Sequence, residues 1–131
     1  MNTGKWESGL ADSVEVWPTE LRLRDSGRML HISFEDGRSF DLSAEYLRVT
    51  SPSAEVQGHS PQERKTVPGK RSVAIAEIVP TGNYAVRLVF SDGHSTGIFT
   101  WTYLATLGEQ QAERWQTYLD ELATKGLSRD R

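Results

Sequence analysis

No cysteine occurs anywhere in the chain. Disulfides, thiolate nucleophiles, all-cysteine zinc sites and iron–sulfur clusters ligated by the chain itself are therefore excluded. The absence fits a reducing compartment, and the cytoplasm is the expected location. No charge of one sign dominates: 15 Lys and Arg stand against 18 Asp and Glu, a net charge of −3. Nucleic-acid binders normally carry a basic excess, so nucleic acid is not the expected partner. Long hydrophobic runs are missing too. None approaches the ~20 residues of a membrane span. The N-terminal MNTGKWESGLADSVEVW carries Glu7, Asp12 and Glu15 where a signal peptide needs an apolar core. No membrane partner is expected. Neither phosphate-loop nor dinucleotide glycine patterns appear, and there is no Gly-x-Ser-x-Gly elbow. At 131 residues the chain has the length of one domain.

What the chain does have is a repeat. Residues 84–104 read YAVRLVFSDGHSTGIFTWTYL, and residues 30–47 read LHISFEDGRSFDLSAEYL. Each holds an alternating apolar strand ending in Phe, one further residue, Asp-Gly, a return strand and a Tyr-Leu pair. The landmarks are Phe34, Asp36-Gly37 and Tyr46-Leu47, then Phe90, Asp92-Gly93 and Tyr103-Leu104. Period-two alternation marks strands. Asp-Gly between them predicts a hairpin with the positive φ angles of a type I′ turn. Ser43 is placed to cap a short helix over 44–49.

Leu21 and Leu23 alternate with arginines in a half-buried strand. Val73, Ile75 and Val79 on one parity and Ala74, Ala76 and Ile78 on the other predict a central strand, apolar on both faces. Tyr84, Val86, Leu88 and Phe90 form the inward set of the next. Beyond a turn near Gly108, a helix is predicted to about Lys125, with Ala112, Trp115, Leu119 and Leu122 as its apolar stripe. Trp115 should be its main anchor, and Gly126 its stop. Residues 1–16 read as a flexible arm, after which Trp17 is expected to dock on the body; 17–125 read as the domain and 126–131 as a fraying tail. The predicted fold class is α+β: antiparallel β-hairpin units with the C-terminal helix packed on the sheet.

Residues 50–71 are rich in Pro, Ser, Gly and charge, and read as a long loop, the kind that is functional or disordered. Its second half carries Arg64, Lys65, Lys70 and Arg71, candidates for contact with a partner or an anion. His59 lies in this loop and His94 follows the second Asp-Gly. If the loop folds over that turn, His59, His94, Asp92 and Glu55 converge. Two imidazoles and two carboxylates suit iron or zinc. The plainer alternative is a turn histidine beside a capping Asp92, with His59 solvated and no cofactor. Ser51 or Ser53 with His59 and an acid makes a nucleophilic set only by arithmetic. His31 alternates outward and reads as a surface residue.

The run YLRVTSPSAEVQGH at 46–59, GNYAV at 82–86 and DGHSTGIFTW at 92–101 together resemble a family of small bacterial proteins. That family is named for its similarity to the N-terminal domain of γ-butyrobetaine hydroxylase. The likeness spans roughly residues 19–107. It implies relatives at the N-terminus of γ-butyrobetaine and trimethyllysine dioxygenases and at the end of some P-loop iron–sulfur carrier proteins. In the dioxygenases such a domain holds a structural zinc through three cysteines, just after a Leu-Arg pair, and one histidine. The resemblance puts those ligands at Ser51, Ser53, Val56 and His94. Ser and Val cannot replace thiolates, so that zinc site should be absent here. The catalytic iron and 2-oxoglutarate belong to a separate domain outside the likeness. A fold is implied, not an activity.

Two functions are expected from this. The first is a non-catalytic accessory or protein-interaction module, tied to iron–sulfur or other metal metabolism, with loop 50–71 and the second hairpin as its contact surface. The alternative is a metal-binding protein or small enzyme using His94 with His59, Asp92 or Glu55.

Overall fold

The computed structural model describes residues 16–130. The reading of 1–16 as a flexible arm lies outside them, except for Val16, which packs against the core. The first half of the molecule runs β1 (Pro18–Arg24), a 3-10 turn (Asp25–Gly27), β2 (Met29–Phe34), β3 (Ser39–Ser43) and α1 (Ala44–Val49). A connecting segment holds α2 (Ala54–Gln57) and a 3-10 turn (Pro61–Glu63). The second half runs β4 (Ile75–Thr81), β5 (Ala85–Phe90), β6 (Ile98–Thr100) and α3 (Trp101–Glu109), followed by α4 (Gln111–Lys125). The strands form two antiparallel sheets, in orders β1-β2-β3 and β4-β5-β6. The chain is α+β, and the repeat in its sequence is a βββα unit used twice. None of the described helices is long and apolar enough to cross a membrane.

The two hairpins share one turn. Phe34 N–H donates to the Arg38 carbonyl at 2.8 Å and Gly37 N–H to the Phe34 carbonyl at 3.1 Å. Phe90 N–H to His94 at 2.9 Å and Gly93 N–H to Phe90 at 3.0 Å repeat the pattern. Only the glycines have positive φ, +94° at Gly37 and +93° at Gly93; Asp36 and Asp92 do not. The turn is therefore not type I′. It is the three-residue loop in which a left-handed Gly closes the bulge. Each Asp accepts the backbone N–H two residues on, Asp36 from Arg38 at 3.1 Å and Asp92 from His94 at 3.0 Å.

Each unit then enters its helix through a hydroxyl cap. Ser43 accepts from Tyr46 N–H, and Thr100 from Tyr103 N–H. The two tyrosines cross. Tyr46 Oη donates to the Leu107 carbonyl at 2.7 Å, and Tyr103 Oη to the Thr50 carbonyl at 2.5 Å. Each acceptor lies four residues beyond the other unit's tyrosine, so the halves are bonded reciprocally. Leu30, Ile32, Leu42, Leu47, Leu88, Phe99, Leu104 and Leu107 are wholly buried between them.

The structure departs from expectation where neighbours decide. The central strand of the second sheet is β5, not β4. β4 is an edge, with Ala76 and Glu77 exposed, and Pro80, which has no N–H to donate, is at home on an edge. Tyr84 is 48% exposed rather than inward. Trp17 is half-buried; its carbonyl accepts from Glu35 N–H at 2.9 Å. His31 faces outward as read, but is bound to Asp41 at 2.8 Å and Ser33 at 3.1 Å. Gly108 lies inside α3, because a Cβ there would come within 2.4 Å of the Phe40 ring. In α4 the buried residues are Tyr118 and Leu122, while Ala112 is exposed. Trp115 is half-buried, between Tyr46, Tyr118 and the Arg129 guanidinium. Residues 126–130 are bonded to the rest of the domain. Gly126 (φ +68°) ends α4, with Leu127 N–H on the Leu122 carbonyl at 2.8 Å. Arg129 then forks onto buried Glu45 with two contacts of 2.8 Å.

Candidate functional site

The segment after α1 is not a free loop. Ser51 is wholly buried, Ser53 is 8% exposed and Val56 is 2% exposed. Ser53 caps α2 by accepting from Glu55 N–H at 3.1 Å and meets Thr96 Oγ1 at 2.7 Å. These contacts turn α2 back onto the second hairpin, where His94 is 6% exposed. His94 Nε2 lies 2.9 Å from Ser51 Oγ, and its Nδ1 lies 2.9 Å from Glu55 Oε1. Ser53 N–H donates to Ser51 Oγ at 3.3 Å. Only one set of roles satisfies every atom: Nδ1–H donates to the Glu55 carboxylate and Nε2 accepts from the Ser51 hydroxyl. Burial, and then the Arg48 charge, lower the His94 pKa; Glu55 and Asp92 pull it up less strongly. The imidazole is thus neutral at pH 7. Gly97 packs against the same hydroxyl, since a Cβ there would fall 2.3 Å from Ser51 Oγ.

Asp92 faces cations rather than the imidazole. Its Oδ2 meets Arg48 Nε at 2.8 Å and Lys70 Nζ at 2.6 Å. Burial would raise its pKa, but Lys70, the His94 N–H and Arg48 outweigh burial and hold the carboxyl far below its ordinary value. Arg48 Nη1 is buried without a hydrogen-bond partner. His59 is exposed, and its N–H donates to Glu63 Oε1 at 2.8 Å. Of the four candidate metal ligands, only the His94 and Glu55 side chains meet; Asp92 touches His94 through the His94 backbone N–H. No group of three or more His, Cys, Asp or Glu among the described residues could hold a metal ion.

Of the four positions matched to zinc ligands by resemblance, three are joined: Ser51 bonds His94 and Ser53 N–H bonds Ser51, while Val56 meets Ser53 through its backbone N–H in α2. Their donor set does not fit zinc. Two neutral hydroxyls and an isopropyl group offer no thiolate, and the Ser51 and His94 donors already satisfy each other. A hydrogen-bonded relay stands where a thiolate knot would. Ser51 to His94 to Glu55 follows the order of a serine hydrolase, with His94 rather than His59 on Ser51. The signal pointing to His94 was its shared place with Ser51 in the resemblance. Yet Ser51 Oγ has no exposure to substrate. Neither flanking cleft, of about 260 Å³ beside α4 and about 320 Å³ at residues 69–73, is lined by Ser51 or His94. The relay is chemistry turned inward, joining α2 to the second hairpin.

The basic candidates are mostly engaged. Arg64 pairs with Glu121 and Lys70 with Asp92. Arg71 forks onto Asp130 at 2.5 and 3.2 Å. Lys65 is exposed, its N–H on the Val56 carbonyl at 2.7 Å. Arg64 and Lys65 line the cleft beside α4; Lys70 and Arg71 line the other, with Asp92 and Asp130.

Two chains solved in solution by NMR are similar to this one at 43% and 42% identity, each with a TM-score of 0.76. The alignments cover 88% and 98% of this chain and 90% and 91% of theirs. A crystal structure of a protein of unknown function from Acidithiobacillus ferrooxidans, of the DUF971 family, is 43% identical over 70% of this chain and 91% of that one, with a TM-score of 0.57. No curated protein matches the chain. The family described as gamma-butyrobetaine hydroxylase-like, N-terminal, matches residues 21–105, a span that holds most of both βββα units and the whole relay; the chain belongs to that family.

Proposed function

We propose that this protein is a non-catalytic accessory module that works in the cytoplasm by binding a partner protein, within iron–sulfur or other metal-linked metabolism. One observation carries the reading. Lys70 on Asp92 joins the basic end of segment 50–71 to the second hairpin as one surface beside an open cleft. The relay with catalytic order, by contrast, is sealed at Ser51. Surface charge of this kind governs encounter and partner choice. The metal link is supported by the family resemblance.

The test is affinity capture from lysate of the source cells, with wild type beside K70E/R71E, both untagged at the cleft and quantified by mass spectrometry. A protein held by wild type and depleted about tenfold by the double variant is expected. Identical capture by both chains would overturn the reading. Stoichiometric iron or zinc in protein purified without a histidine tag would favour the metal-binding alternative on His94.

A further inference from the structure

The cleft at residues 69–73 already holds a peptide: the chain's own residues 128–130. Gly69 N–H donates to the Ser128 carbonyl at 2.9 Å and Arg71 N–H to the Arg129 carbonyl at 3.1 Å. The Arg71 guanidinium takes the Asp130 carboxylate in a fork, at 2.5 and 3.2 Å. Two main-chain donors and a guanidinium fork recognise an extended backbone that carries a carboxylate. Lys70 Nζ stands beside them on Asp92 at 2.6 Å.

The occupant is unevenly held. Arg129 is fixed to buried Glu45 and lies 5.2 Å over the Trp115 ring. Asp130 is not buried: its side chain is 63% exposed and that of Arg71 is 49% exposed. An exposed pair of this kind is screened by water and exchanges readily. Space of about 320 Å³ remains open beside it. Asp130 can therefore leave Arg71 while the Arg129 anchor stays in place.

We infer that this cleft is a receptor for an extended acidic segment of a partner protein, with Asp130 as its tethered stand-in. The inference rests on the interaction reading above and names its ligand. A partner carboxylate takes Arg71 and a second is drawn to Lys70, while the Gly69 and Arg71 N–H groups stay on the Ser128 and Arg129 carbonyls and report the exchange beside them. The tethered Asp130 competes at an effective concentration in the millimolar range, so the unmodified cleft is attenuated.

The test uses ¹⁵N-labelled full-length protein and the acidic hexapeptide Gly-Ala-Asp-Asp-Glu-Ser, followed by amide shifts. The Gly69 and Arg71 amides should move saturably, with affinity raised on the order of tenfold in D130A, where the tethered competitor is gone. The same peptide with Asn and Gln for Asp and Glu should leave them still. R71E should abolish the response while amides distant from the cleft keep their shifts. Unmoved Gly69 and Arg71 amides at about 1 mM peptide in D130A would overturn the inference. So would equal affinity of wild type and D130A, or an equal response to the neutral peptide. Movement of those amides with protein concentration alone would replace the partner by a second copy. If the peptide fails while lysate capture still depends on Lys70 and Arg71, the acidic segment falls and the interaction module stands.

Discussion

Protonating His94 would place a charge inside the fold, 6% exposed and near the Arg48 guanidinium. Its folded pKa is lowered, so the unfolded chain binds that proton more readily. Stability from this group is complete above the ordinary histidine value of ~6.5 and is lost as pH falls through the lower folded value. Asp92 acts in the same direction, but only below its ordinary value of 3.8. The thermal midpoint should therefore decline as pH falls below the ordinary histidine range, and H94Q should flatten that slope. A slope unchanged in H94Q would remove His94 as its source. Ser51→Ala separates structure from pH. It strands a buried Nε2 without its donor and should cost about 1–3 kcal/mol by urea unfolding. Unchanged stability would show that the relay holds nothing together. The pairing itself was out of reach of local pattern. His94 lies 43 positions from Ser51, and spacing along a loop favours the nearer His59. What was legible at this scale was local chemistry: the cap at Ser43 and the capping role of Asp92 beside its turn.

Elements were legible where period and cap agreed, and misread where packing overruled propensity. α3 shows the conflict. Gly108 reads as a turn because Gly disfavours helix interiors by about 1 kcal/mol relative to Ala. It sits in the helix because the Phe40 ring of β3 occupies the place of its side chain, 2.4 Å from a would-be Cβ. Gly108→Ala thus sets a propensity gain of about 1 kcal/mol against overpacking of about 1–3 kcal/mol. The clash involves ring atoms on a strand that cannot shift freely, so the variant should be the less stable chain. F40L/G108A should recover much of the loss, because the smaller side chain leaves room. Urea unfolding of the four chains of that cycle gives the coupling. Additive effects would mean that Phe40 is not the reason for the glycine. The edge position of β4 has a similar cause. Apolar residues on both parities speak for two covered faces, but strand order depends on which strands pair, and β5 takes both partners.

Across the whole molecule, the halves are held by contacts that no local window contains. The crossed tyrosines are one set. Arg48 of the first unit on Asp92 of the second hairpin, and Arg38 of the first hairpin on Glu109 of α3, are another. Arg129 on Glu45, which ties the C-terminal tail to α1, is a third. It is also the least symmetric in its consequences. Glu45 is 6% exposed within α1, whereas the Arg129 side chain is 28% exposed and reaches it from outside. Arg129→Ala leaves a carboxylate buried without its partner, the costly way to break such a pair, about 3–5 kcal/mol. Glu45→Ala leaves a guanidinium that can swing into water, so its loss should be smaller, nearer the about 1–3 kcal/mol of a lost charged hydrogen bond. The double variant should recover part of the R129A loss, because the stranded charge is gone. Urea midpoints of the four chains decide it, and hydrogen exchange at the Gly69 and Arg71 amides reports the tail separately. If E45A costs as much as R129A, the pair is a surface tether rather than a buried anchor. The picture of an upstream anchor with a releasable Asp130 would then fail with it.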